Sequence, residues 1–195
     1  MKITSILTLA ILWTTVVAAQ NYSLDVYEST LSIGTTHYKG FSTRFTQPYK
    51  EVKKTWWKYI RTKAHIFNNK THYTLTVPPK KGESNTAIQF ISVIENGSKQ
   101  QSILTVAPID AALSAEQLAT LRKDLQVLLV DFKINYFTRI LQQKIDQQEK
   151  DNHKLSKELH KQKNRNSVAS EKLLQQLAQG QAHLESLKRD LAKIK

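Results

Sequence analysis

The sequence predicts an α+β protein: an antiparallel sheet packed by one short helix and one long helix, with a C-terminal helical hairpin or coiled coil. Three observations predict it. Residues 22–107 fall into short β-branched and aromatic runs separated by turn residues. One amphipathic segment, opened by Pro48, interrupts them. After Pro108 there is no further proline, Gly180 is the only later glycine, and apolar residues recur at helical spacing to the end.

The first strands are expected from Tyr22, through the alternation Tyr22, Leu24, Val26, to Ile33, and, after a turn through Gly34 and Thr35-Thr36, from His37 to Phe45. Further runs are Ala64–Asn68, Thr71–Val77, Thr86–Ile94 and Gln101–Ala107. Turns fit at Asn68–Lys70, Pro78–Gly82 and Glu95–Lys99, the last with Asn96-Gly97 supplying positive φ. Pro48 can open a helix because its missing N–H costs nothing there. In the helix Tyr49–Lys63 that follows, Tyr49, Val52, Trp56, Tyr59 and Ile60 share one side, which should pack on the sheet. Lys50, Lys54, Lys58 and Arg61 share the other.

A capping-box pattern, Ser114 to Gln117, starts the long helix at about Ala115, and Leu113 with Leu118 can staple it. Its wheel carries two stripes. Leu118, Leu121, Leu125, Leu128, Leu129, Phe132, Tyr136 and Ile140 make the first, suited to the sheet. Val127, Val130, Ile134, Phe137, Leu141 and Ile145 make the second, which continues through Leu155 and Leu159 and needs another partner. Leu173, Leu177, Leu184, Leu187, Leu191 and Ile194 keep heptad spacing, with Gly180 in the remaining slot. A turn within Gln162–Ser167 would bring these leucines onto the second stripe, with Leu177 beside His153 and Leu184 beside Asp146. The alternative is one unbroken helix whose stripe meets another copy, residues 141–195 then projecting about 80 Å at 1.5 Å per residue.

Composition bounds the compartment and the chemistry. Lys and Arg number 29 against 16 Asp and Glu, a formal charge of +13, and there is no cysteine. Disulfides, thiolate nucleophiles and Cys-ligated metals are thereby excluded. Met1-Lys2, the apolar run Ile3–Ala18 and Val17-Ala18-Ala19 before Gln20 have the order of an export leader cleaved after Ala19. No later stretch is long and apolar enough to span a bilayer, so an exported protein, periplasmic or secreted, is expected. Asn21, Asn69 and Asn96 begin Asn-x-Ser/Thr triplets, which matter only where such sites are glycosylated.

The six histidines show no metal-ligand spacing, and His153 and His160 lie among Lys, Gln and Asn. There is no nucleophile elbow, no Gly-rich phosphate loop and no paired carboxylates for glycoside chemistry. No catalytic residue, cofactor or metal site is therefore nominated. The basic side of Tyr49–Lys63 is the sharpest local feature. Lys50/Lys54 and Lys54/Lys58 are like-charge pairs at i,i+4, each costing roughly 0.2–0.5 kcal/mol in an isolated helix. A polyanion could neutralise them, with Lys53, Lys63, Lys80, Lys81 and Trp57 extending the patch; a solvated face is the plainer account.

The leader ending at Ala19-Gln20, Tyr38-Lys39-Gly40-Phe41, Val52-Lys53-Lys54-Thr55-Trp56-Trp57-Lys58 and the Lys/Gln/Glu-rich helical tail together resemble exported bacterial proteins of uncharacterised activity. That resemblance brings no activity and no site residues. The element order is also similar to TATA-binding-protein-like and helix-grip folds, which fixes no function. The expected division is a signal peptide at 1–19, an α+β domain at 20–112, a long helix on the sheet at 113–145 and a helical extension at 146–195. The leading expectation is a non-enzymatic envelope protein that associates with itself or another envelope protein through Leu155, Leu159, Leu173, Leu177, Leu184, Leu187, Leu191 and Ile194. Alternatives are a module for an anionic surface or polymer through Lys50, Lys54, Lys58 and Arg61, and a cup for an apolar ligand between sheet and long helix. Export argues against nucleic acid as partner.

Overall fold

A computed structural model describes residues 22–78, 87–97, 101–109, 113–162 and 167–194. The expected leader, the turn after Pro78, the tip of the Asn96-Gly97 loop and the middle of the turn after Gln162 lie outside the described residues. The elements are β1 (Tyr27–Ile33), β2 (Thr36–Phe45), α1 (Tyr49–Ile60), β3 (His65–Asn68), β4 (Tyr73–Val77), β5 (Ile88–Asn96), β6 (Ser102–Pro108), α2 (Ala115–Gln162) and α3 (Ser167–Ile194). The strands form one antiparallel sheet in the order β1-β2-β6-β5-β4-β3. This is the α+β architecture the sequence predicts.

Turn chemistry explains the register. Gly34, at φ 59°, closes the two-residue hairpin between the paired Ile33 and Thr36. Between β3 and β4, Lys70 takes φ 69°, and its N–H donates to Asn68 Oδ1 at 2.9 Å. The Asn96-Gly97 turn differs from expectation, because Gly97 does not adopt positive φ. Asn96 already pairs with Ser102, so the connection is longer than a two-residue hairpin, and Gly97 N–H donates to the Gln101 carbonyl at 2.7 Å.

The segment Tyr22–Val26 is not a strand either. The Asp25 carbonyl is taken by two side chains, Thr43 Oγ1 at 2.7 Å and Lys133 Nζ at 3.2 Å, in place of a sheet partner. The alternating Tyr22, Leu24 and Val26 pack against the helix-side core as a strap, with the Tyr22 ring edge-on to Phe137.

The sheet's helix-facing side presents Phe41, Phe45, Leu75, Phe90, Leu104 and Val106. Against them α1 lays Val52, Trp56 and Ile60, each at most 1% exposed, and Trp56 Nε1 donates to Ser92 Oγ at 3.1 Å. The other side carries a smaller apolar cluster of Leu31, Ile91 and Ala107. Its centre holds a hydroxyl ladder across three strands, Ser29 Oγ to Ser42 Oγ at 2.7 Å and Ser42 Oγ to Thr105 Oγ1 at 2.6 Å.

The capping box forms as the sequence predicts. Gln117 N–H donates to Ser114 Oγ at 3.2 Å, and Ser114 N–H donates to Gln117 Oε1 at 2.9 Å. The two stripes of α2 are not both covered along their length: Val127 is 51% exposed, and Val130 and Ile134 are half-buried. Instead every fourth residue from Leu121 is buried, namely Leu121, Leu125, Leu129, Lys133, Phe137, Leu141 and Ile145. Four residues turn a helix by about 40° beyond a full circle, so this row winds from the sheet-facing side toward α3. There Gly180 sits against Asn152 and Gln148, the register expected of a turn centred near Arg165, and Leu187 and Ile194 join the core that holds Leu141 and Ile145. The helix pairing is therefore intramolecular, and the end of α3 belongs to the head's core.

One backbone contact is unforgiving. A Cβ at Gly40 would overlap the Val106 carbonyl oxygen and come within 2.7 Å of the Ala107 methyl. Gly40→Ala should lower unfolding stability by about 2–3 kcal/mol in urea titrations; an unchanged midpoint would contradict this packing of β2 on β6.

Candidate functional site

Three features on the helix side carry chemistry: the outward face of α1, a buried lysine in α2, and a polar cleft where α1, α2 and α3 meet. The first was legible in the sequence. Lys50, Lys54, Lys58 and Arg61 are all exposed. Among the described residues none of the four lies in an ion pair with a carboxylate. Lys53 is drawn off to the side, donating to Tyr49 Oη at 3.0 Å and lying over the Tyr73 ring, whose edge meets Trp57. Those tyrosine hydrogen bonds raise the Lys53 pKa. Lys63 covers the Tyr59 ring. The aromatic margin of the patch thus holds two cations of its own.

Lys133 is the second feature, and it escaped the wheel reading because only apolar residues were followed. Its signal is positional: it is the one charged residue in the four-residue row from Leu121 to Ile145. The side chain is 1% exposed and lies over the Phe45 and Phe137 rings, with the Asp25 carbonyl as its hydrogen-bond acceptor. Burial lowers its pKa to about 8, against a smaller opposing influence of the Asp25 carboxylate. Beside it the rings of Phe45, Trp56, Phe132, Tyr136 and Phe137 pack edge to face with one another.

The third feature joins residues far apart in sequence. A cleft of about 570 Å³ is lined by Gln47, Glu51, Ile140, Gln143, Lys144, Gln147, Gln148 and His183. Beneath it Tyr136 Oη donates to Glu51 Oε1 at 3.2 Å, and Arg139 Nη2 donates to Thr55 Oγ1 at 2.7 Å. Burial, reinforced by the Glu51 carboxylate, drives the Tyr136 pKa far above the usual phenol value. Burial likewise pushes Tyr59 up to about 12. Gln47 is fixed by Ser102 Oγ, which donates to its backbone carbonyl at 2.7 Å, while its side-chain Oε1 is buried with no hydrogen-bond donor. Such an atom is costly to leave unmet.

No family model, curated protein or solved structure matches this chain. The expected association residues divide into two groups. Leu187 and Ile194 are buried and Leu184 and Leu191 pack on the core, whereas Leu155, Leu159, Leu173 and Leu177, farther along the hairpin, are only half-buried. Among the described residues no cluster of His, Cys, Asp or Glu could hold a metal ion, and no helix is long and apolar enough to cross a membrane.

The buried lysine gives a pH signature. Its folded pKa of about 8 lies below the unfolded value of 10.5, so between them the unfolded chain holds a proton the folded chain lacks. Stability should rise with pH across that window, by about 1–3 kcal/mol. Tyr59 and Tyr136 act oppositely, because raised phenol pKa values cost stability above pH 10. Urea midpoints should peak between about pH 9 and 10. Lys133→Met, which leaves the Asp25 carbonyl its bond from Thr43, should raise stability at neutral pH and flatten the rise above pH 8.

Proposed function

We propose that this is a non-enzymatic exported protein that binds a linear polyanion along the outward face of α1. The observation that carries this reading is the row Lys50, Lys54, Lys58 and Arg61, exposed and without carboxylate partners among the described residues, on a helix whose opposite side is locked into the core by Val52, Trp56 and Ile60. A cation every turn or so along about 16 Å of helix axis suits a polymer with regularly spaced negative groups. The fold draws little from these charges: Lys58, in the last turn, suits the helix dipole, and the row's mutual repulsion is a small cost. The net charge of +13 adds a long-range attraction for any polyanion.

Polyphosphate, which offers charge alone, is the direct probe. Binding at low salt should weaken steeply as salt is added. Replacing the four residues together by Gln should reduce affinity roughly tenfold or more while leaving the thermal midpoint unchanged or slightly raised. Flat salt dependence, or full affinity in the quadruple variant, would remove the reading. Binding to phosphatidylglycerol vesicles but to no soluble polyanion would replace it with a membrane surface.

A second reading is favoured by a separate observation. Val168 and Leu174 on α3 are 75% and 54% exposed, close to the half-buried Leu173 and Leu177. An association of two hairpins through this outer part of the extension would cover them. Light scattering should then give twice the chain mass for the wild type and the single mass for Val168→Lys with Leu174→Lys. A monomeric wild type at high concentration ends this reading.

A further inference from the structure

We infer that the cleft between α1, α2 and α3 is a saccharide subsite, so that the polyanion taken by α1 is an acidic polysaccharide. The inference rests on the α1 reading and adds a second, chemically different contact to it. The two surfaces adjoin. On the wheel of α1, Glu51 falls between the cationic side, ending at Lys58, and the buried Thr55, and Glu51 is itself a wall of the cleft. A chain lying along the cations therefore reaches the cleft at its border.

The lining says what part of such a chain the cleft accepts. The Glu51 carboxylate, held by Tyr136 through one oxygen, offers its other as an acceptor. Lys144 balances Glu51 in the lining, and Gln143, Gln147 and Gln148 add neutral amides that can donate and accept, so the negative groups of the polymer belong on α1 and its hydroxyls in the cleft. Gln143 and His183, both exposed on facing helices, can donate or accept, which suits a ring carrying hydroxyls on both edges. Ile140 supplies an apolar floor for the C–H face of a sugar. The cleft is widely open to solvent, as a site for a polymer must be, and its 570 Å³ lies within the range of ligand sites.

Two polymers separate this inference from the reading beneath it. Polyphosphate carries charge without hydroxyls; polygalacturonate carries both. Gln143→Ala and His183→Ala alter exposed side chains and leave the core intact. Made together, they should weaken polygalacturonate binding about fivefold to tenfold and leave polyphosphate binding unchanged. The α1 quadruple variant should lose both polymers. If the cleft variant binds polygalacturonate as tightly as wild type, the saccharide subsite is wrong and the α1 reading stands. If it weakens both polymers equally, the cleft acts only through charge and the inference is again overturned. If wild type binds neither polymer, both fall together.

Discussion

The fold depends on one buried row along α2. From Leu121 to Ile145 each fourth side chain is taken out of water, and a row with that step circles the helix by about 240° over about 36 Å. Rows of this kind are the natural ridges of a helix surface, inclined to its axis, and a straight partner can follow one only briefly. Two partners are therefore needed. The sheet takes the beginning of the row through Phe41, Phe45 and Val106, and α3 takes its end through Leu187 and Ile194. The strap Tyr22–Val26 crosses at the handover, with Tyr22 against Phe137 and the Asp25 carbonyl over Lys133. Sheet, strap and hairpin are thus held by a single line of side chains.

Lys133 stands at that crossing. Burying an ammonium with one carbonyl and two aromatic faces for company is expensive, and an apolar side chain of similar length would be the cheaper choice. What the lysine adds is direction. An apolar residue would accept any cover, whereas the ammonium requires an acceptor at one point, and the Asp25 carbonyl, also claimed by Thr43, supplies it. The cation fixes where the strap lies, so specificity of the N-terminal segment is exchanged for stability. A strand pairing for Tyr22–Val26 would have met the same alternation of apolar residues without satisfying Lys133.

Local signals were readable in the sequence and long-range ones were not. The capping box at Ser114, the Gly34 hairpin, the two sides of α1 and the register of α3 on α2 each follow from residues within a few turns of one another, or from one continuous periodicity. The strap was missed because its decisive bonds join Asp25 to Thr43 and to Lys133, 18 and 108 positions away. The row in α2 was split into two stripes because a wheel drawn at 100° per residue separates positions that a four-residue ridge connects. The cleft had no sequence signature at all. Gln47 lies in the loop before α1 while Glu51, Gln143 and His183 belong to three different helices, and glutamine in a helix reads as solvent-facing until a neighbour encloses it.

The same packing decides where a ligand can act. On α1 the apolar side is spent completely: Val52, Trp56 and Ile60 are fixed against the sheet and against Phe132, so the helix cannot roll to hide its charges. The like-charged row is held in a constant direction by a core many times stronger than its own repulsion. The cleft shares that rigidity, since Gln47 hangs from Ser102 at the start of β6 and Glu51 is gripped by Tyr136. A cation row and an acceptor-lined groove on one immobile platform meet a polymer without first paying to order themselves, and preorganisation of this kind lets modest individual contacts add to useful affinity. The sheet's other side offers a hydroxyl ladder whose bonds are already exchanged among Ser29, Ser42 and Thr105. Its hydroxyls are satisfied internally, whereas the cations of α1 have no carboxylate partner among the described residues, and it is such unpaired, rigid polarity that gives a ligand something to gain.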